Sequence, residues 1–433
     1  MAGNYGPLIL SIAIFGLTYL GILTEKIHRT LVALLGAVAM VCVGTWMHFY
    51  SSVEAVEAVD FNTVILLFGM MVVVSLFKET GFFEYVAIKA ARVTGGRPWL
   101  LFLALGVATT LISMILDNVT TIILMIPVTM SIADILGVSM IPFLIGEVML
   151  SNIGGVATLV GDPPNILIGT AAGFSFTDFL THLAPIVLFV WALAQGMLLL
   201  LFRRVLFSVP ENAARLSELD AKSALTDPRS TRKLLIVLGG VIVLFFLHDR
   251  IGLESGIVAL LGAAAGLLWL WPDIVPVLRE VHWDVLVFFI GLFVIVGGLE
   301  SAGALDSVAG AMGSLSTHGI ALAALLLLWL AGVMSAVVDN VPFTIAMLPV
   351  LTALSAKGVH TAPLWWALAL GVGFGGNATP VGSTANVIAI SASEKTRQPI
   401  GSKLWIKHGL PIAFGSCVLA SLLLFAAIEL HLF

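Results

Sequence analysis

Two stretches of this sequence carry the same landmarks in the same order, 222 residues apart. Phe61-Asn62-Thr63-Val64-Ile65-Leu66-Leu67-Phe68-Gly69 matches Trp283-Asp284-Val285-Leu286-Val287-Phe288-Phe289-Ile290-Gly291, and 291 − 69 = 222. Gly81 and Gly303, Asp117-Asn118 and Asp339-Asn340, and Pro127 and Pro349 keep that shift. Further on, Gly154-Gly155-Val156-Ala157-Thr158-Leu159-Val160-Gly161 parallels Gly375-Gly376-Asn377-Ala378-Thr379-Pro380-Val381-Gly382, and Asn165 parallels Asn386, at a shift of 221 that one deletion explains. A chain that repeats itself over so long a period is built from two copies of one unit. The copies are expected at residues 1–207 and 234–433, joined by a polar cytoplasmic linker at 208–233 that is too short for a core of its own.

The repeated landmarks lie in apolar surroundings. Apolar residues make up 60% of the chain and charged ones 10%, against roughly 25% charged in soluble domains, so lipid is the main solvent. Apolar runs long enough to cross a ~30 Å hydrocarbon core recur from end to end and leave no separate soluble domain. The first 23 residues lack a basic leader and a small-residue cleavage site, which reads as a first spanning helix. Spans are expected near 6–24, 31–49, 61–77, 141–172 and 183–206, and again near 234–248, 255–271, 284–299, 364–391 and 409–430. Between the third and fourth span of each copy lies a pair of apolar arms, 99–136 and 319–356, meeting at an Asp-Asn tip that reads as a re-entrant hairpin. Thr80 to Val93 mixes aromatic and charged residues as an interfacial helix does.

Five spans per copy is an odd number, so the second copy enters the membrane with the opposite orientation. The expected fold is therefore an all-α polytopic membrane protein of two inverted repeats, each with five spans, one re-entrant hairpin and one broken helix (141–172 and 364–391). Eighteen Lys and Arg, Arg29 among them, then fall on the cytoplasmic side and only Arg250 and Lys357 fall outside, which sets both termini outside the cytoplasm of an inner membrane.

Several chemistries have no support. Cys42 and Cys417 lie in apolar segments at opposite ends of the chain, without metal-ligand spacing, and neither a His-Glu-x-x-His nor a Gly-x-Ser-x-Gly pattern occurs. No enzymatic activity, resident metal, organic cofactor or nucleic-acid partner is expected.

The candidate site lies at the tips and the breaks. An ionised Asp in hydrocarbon costs several kcal/mol, so Asp117 and Asp339 are expected to face a polar cavity and to carry a proton or ion. Asn118, Asn340 and Thr120 stand beside them, and an Asp or Asn there can also cap the arm that follows. In the broken spans, clustered Gly and Pro release backbone groups that lipid cannot satisfy, and Asn152, Thr158, Asn165, Asn377, Thr379, Ser383 and Asn386 add neutral donors and acceptors for a substrate. Asp162, matched by Ser383, and Glu147, matched by Leu368, are acids of the first copy alone and candidates for a coupling proton. The expected site holds no Lys or Arg.

Leu116-Asp117-Asn118-Val119-Thr120-Thr121, Ser151-Asn152-Ile153-Gly154-Gly155, Gly161-Asp162-Pro163-Pro164-Asn165 and Asn377-Ala378-Thr379-Pro380-Val381-Gly382-Ser383 resemble the ion transporter superfamily, above all its arsenite-permease and P-protein branch. The resemblance implies a membrane carrier that moves small oxyanions, weak acids or cations by an elevator-like motion. It further implies a homodimer, and a cytoplasmic ATPase subunit where the chain serves an arsenical pump. Related sodium-carboxylate carriers have Ser-Asn-Thr tips, whereas both tips here are Asp-Asn, an added negative charge that repels carboxylates and accepts protons. The reading is secondary active transport, a proton-coupled efflux of a small inorganic substrate, arsenite or antimonite, whose neutral hydroxide needs hydrogen-bond partners and little positive charge. A sodium/proton antiporter or a sodium-coupled anion or carboxylate transporter is the alternative within this class, with sodium as the coupling ion. A passive channel is the alternative outside it.

Overall fold

The structure, a computed structural model, describes residues 5–24, 26–208, 221–305, 310 and 319–433. Among them every regular element is helical and no strand occurs. The first copy contains α1 (Gly6–Thr24), α2 (Arg29–Met47), α3 (Ser52–Glu57), α4 (Phe61–Lys78), α5 (Phe82–Val93), α6 (Pro98–Ser113), α7 (Asn118–Leu136), α8 (Ile141–Gly155), α9 (Pro163–Ala172) and α10 (Ala184–Leu201). The second contains α11 (Pro228–Ile251), α12 (Ser255–Leu270), α13 (Ile274–Arg279), α14 (Trp283–Ser301), α15 (Ile320–Val337), α16 (Asn340–Ala356), α17 (Ala362–Gly375), α18 (Thr384–Glu394) and α19 (Ser402–Glu429). Eight of the helices have the length and hydropathy to cross a membrane, and exposed Leu17, Leu188, Val333 and Leu422 present the apolar exterior such a solvent requires.

Some helix starts differ from the sequence pattern. The helix expected from 234 starts at Pro228, because Asp227 accepts hydrogen bonds from the N–H groups of Arg229 and Ser230 at 3.0 and 3.1 Å and proline suits the first helical position. The helix thus takes in residues 228–233 of the expected linker, of which residues 209–220 lie outside the described residues. The linker's visible end is tied down where Thr226 N–H donates to Thr80 O at 3.1 Å. The helix expected from 409 begins at Ser402 and continues through Pro411.

The glycines that mark the repeat turn out to be points of contact between the copies. A Cβ on Gly69 would meet the backbone of Ala259 at 2.7 Å, and one on Gly291 would meet the backbone of Ala33 at 3.1 Å. Glycine lets α4 lie close to α12 and α14 close to α2, a small-residue packing that serves helices where lipid supplies no hydrophobic drive. With α1 against α2 and α11 against α12, these helices form one body, the frame. The second body gathers α6 to α10 and α15 to α19, packed across copies through α9 on α16, α7 on α18 and α10 on α19.

Candidate functional site

The breaks in the two long spans are built alike. A Cβ on Gly161 would meet Gly155 O at 2.5 Å and Ser113 O at 2.7 Å; one on Gly382 would meet Gly376 O at 2.5 Å and Ser335 O at 2.8 Å. The chain folds back on itself there and also carries the end of the neighbouring arm, so glycine is required at each crossing. The opened carbonyls are answered from within the protein. Asn165 Nδ2 donates to Gly155 O, Val156 O and Thr158 O at 3.1, 3.1 and 2.7 Å, and Asn386 Nδ2 donates to Gly376 O and Thr379 O, both at 2.8 Å. Thr158 and Thr379 hydroxyls donate to Met114 O and Ala336 O and pin the tips to the breaks. These four residues thus hold backbone, and none of them lines the polar cavity described next.

That cavity, of about 30 Å³, lies between the frame and the second body, and has room for about one water. Asp117, Asn118, Asp162, Asp339, Asn340 and Ser383 line it, together with Arg29, His282 and Thr384 and the apolar walls Leu67, Met71, Phe288 and Phe289. Six of the residues singled out from sequence are therefore gathered in one place. Beneath them lies an amide cluster. Asn152 Oδ1 accepts from Asn118 Nδ2 at 3.0 Å and from Ser383 Oγ at 3.3 Å, while its Nδ2 donates to Asn377 Oδ1 at 2.8 Å and Asn386 Oδ1 at 3.1 Å. Every lone pair and proton of that amide is engaged, which fixes the two breaks against each other. Asn118 Oδ1 is the exception among these groups: it is buried and has no hydrogen-bond partner.

The three carboxylates have different partners, and prolines explain why. Asp117 caps α7, accepting from Thr120 N–H at 2.8 Å and from the Thr120 hydroxyl; a cap of this kind contributes about 1 kcal/mol. At the matching position of the second copy stands Pro342, which has no N–H, so Asp339 caps nothing. It turns instead to Arg29, whose Nη1 donates to Asp339 Oδ2 at 2.9 Å, and to the Thr384 hydroxyl, which donates to the same oxygen at 2.8 Å. Asp162 precedes Pro163-Pro164, which likewise offer no donor, and its side chain caps nothing either. Buried to 1% exposure, it accepts from Asn340 Nδ2 at 3.1 and 3.3 Å.

Two expectations change. The site was expected to hold no Lys or Arg, yet Arg29, read as one of the cytoplasmic charges, reaches it from the start of α2. A cation there faces the positive end of the helix dipole, an unfavourable place by about 0.3–1 kcal/mol, so its partners Asp339, Thr384 and the Phe288 ring 5.2 Å away account for its position. Its ion-pair partner stands 310 residues away, which no local pattern reveals. Glu147 lies apart from the cavity, buried between α7 and α8, where Thr129 Oγ1 donates to its Oε1 at 2.7 Å. Thr384 and His282 were not singled out from sequence. Thr384 directly follows Ser383 at the break and was within reach of that reasoning, while His282 stands at the start of α14, outside every motif that the repeat marks.

A family model described as a citrate transporter, CitMHS, matches residues 19–371. A 46 kDa membrane protein of Mycobacterium leprae is 37% identical over 422 residues, 96% of this chain and 98% of that one. An uncharacterised transporter of Mycobacterium tuberculosis is 39% identical over 426 residues, with the same coverage of 96% and 98%. The human P protein is 32% identical over 500 residues, 96% of this chain but 59% of its own length. Among solved structures, the YdaH transporter of Alcanivorax borkumensis covers 98% of both chains with a TM-score of 0.61 at 16% identity, a likeness of fold.

Proposed function

The chain belongs to the CitMHS citrate-transporter family, and from that premise we propose that this membrane transporter is a proton-coupled secondary carrier that exports arsenite or antimonite by alternating access. The observation that carries the reading is the chemistry of the cavity wall. Asp117, Asp162 and Asp339 face a single guanidinium, and the free Asn118 Oδ1 adds one more acceptor. Such a wall suits donors: protons, hydroxyl groups or small cations. Neutral trihydroxy arsenic brings three O–H donors and no charge. A free carboxylate anion meets like charges here, so the word citrate in the family's name is not carried over to this chain as cargo.

In this reading the two copies are inverted repeats, the hairpin tips Asp117-Asn118 and Asp339-Asn340 meet at mid-depth, and the second body moves against the frame. Room for about one water is too little for the cargo, so cargo enters only when the two bodies shift. Asp162 exchanges the proton, having neither a cap nor a cationic partner. Asn118, Asn340, Ser383 and Thr384 offer amide and hydroxyl groups to the substrate. Sodium/proton exchange is the second reading, favoured by the same run of acceptor oxygens.

Transport by the purified chain in liposomes tests this, with arsenite, sodium and carboxylates presented separately under an imposed pH gradient. Arsenite moving against proton flow is expected. Sodium-driven movement without arsenite flux would assign the second reading, and citrate uptake by the free anion would overturn both.

A further inference from the structure

Arg29 belongs to the frame, and two of its partners belong to the other body. Its guanidinium donates to Asp339 on the second hairpin and to Thr384 at the second break, while Phe288 of the frame lies beneath it. Beside it, the Tyr19 hydroxyl donates to Pro342 O, a second grip of the frame on the same tip. The first copy has no equivalent pair, since Asp117 is engaged with Thr120, and Ser255, at the start of α12, accepts from Asn62 Nδ2 at 3.3 Å. The pair also borders a second crevice of about 290 Å³, lined by His28, Asp284 and Val387, so it separates the small cavity from wider space.

We infer that Arg29 is a built-in counter-cation for Asp339, latching the second hairpin to the frame, and that the hairpin body moves only when a proton or cargo takes the guanidinium's place. Arg29 is thus a positioning residue, acting through Asp339 and not on the cargo. Asp339 is freed for this by Pro342, and Thr384 supports it by donating to the same oxygen. The ionisable groups that face the pair are Asp117 and Asp162 across the small cavity, His282 and Asp284 at the start of α14, and His28 beside it in the chain, while Tyr19 is held on Pro342 O of the same tip. This inference rests on the proton-coupled reading for what displaces the arginine, but not for the latch itself.

Two measurements on the full-length protein separate those parts. In a Cys42→Ser, Cys417→Ser background, Val387→Cys reports on the crevice through its rate of reaction with a water-soluble maleimide in detergent. Arg29→Gln is expected to change that rate at least threefold, and Arg29→Lys, which keeps the charge, to stay within twofold of the parent. In liposomes, arsenite flux is expected to fall at least tenfold in Arg29→Asp and in Asp339→Arg, and to recover to within threefold of the parent in the swapped pair. An unchanged maleimide rate in Arg29→Gln, with folding intact by size exclusion, overturns the latch. A changed rate together with flux indifferent to pH keeps the latch and removes proton coupling.

Discussion

Asp162→Asn is the sharpest test of the proposed coupling, because the structure permits the charge to be removed with little else. The carboxylate accepts Asn340 Nδ2 at 3.1 and 3.3 Å and caps no helix. Asn keeps a carbonyl oxygen that can accept from Asn340 Nδ2, and a hydrogen bond contributes about 1 kcal/mol, so the exchange forfeits no more than roughly that. Thermal unfolding in detergent should therefore shift by no more than about 4 °C. Proton-coupled arsenite flux in liposomes, read with a pH-sensitive dye and by arsenic content, should fall to the protein-free background. Asp162→Ala separates the two effects, since it leaves the buried amide of Asn340 without this acceptor at a cost of about 1–3 kcal/mol and should lose stability as well as flux. Coupled flux that survives in a folded Asp162→Asn protein would refute the assignment of the proton to this residue.

Asp117→Asn and Asp339→Asn should each abolish coupled flux while leaving folded protein in the membrane, the first because Asn still caps α7; normal flux in both would remove the tips from the mechanism. Glu147→Gln should retain coupling in the same assay, since the residue lies outside the cavity and Gln keeps an acceptor for Thr129. The double variant Cys42→Ser, Cys417→Ser should still transport As(III), and loss of arsenite binding by a folded protein would restore a thiol to the site. Gly161→Ala and Gly382→Ala, each meeting backbone oxygens at 2.5 to 2.8 Å, should lose upwards of about 2 kcal/mol, whereas Gly196→Ala, with open space around it, should gain about 0.5–1 kcal/mol by thermal unfolding.

What the sequence made legible follows from which forces are local. Helix positions were readable because lipid demands long apolar runs with satisfied backbone, so α1, α4 and α12 begin where the pattern places them. The starts of α11 and α19 lie before the positions that the apolar pattern marks, because their first turns carry Arg229, Arg232 and Lys403, which break an apolar run without breaking a helix. At the site, the tips and breaks announced themselves through Asp, Asn, Gly and Pro at matched positions. Their division of labour did not. Asn165 and Asn386, expected as substrate groups, also satisfy the carbonyls that their own breaks release, a task that matched positions alone do not reveal. Arg29 had a sufficient explanation in membrane orientation, and only the fold brings it to Asp339.

The departure of the two copies from each other is written in their prolines. The first has Thr120 after its tip and Pro163-Pro164 after its break; the second has Pro342 after its tip and Thr384-Ala385 after its break. Proline deletes the backbone donor that an N-cap acid needs, so each copy keeps one carboxylate out of local capping: Asp162 at a break, Asp339 at a tip. Both line the same cavity, and the residues between them, Asn340 and Thr384, donate to one or the other. A cap forgone costs each helix about 1 kcal/mol, a sacrifice that folding alone does not explain. In the proposed carrier it yields two acids with different partners, one facing a fixed guanidinium and one facing only an amide. A pair of identically capped tips has neither a latch nor an uncapped proton acceptor, so the asymmetry between the copies, more than their likeness, is what the proposed coupling requires.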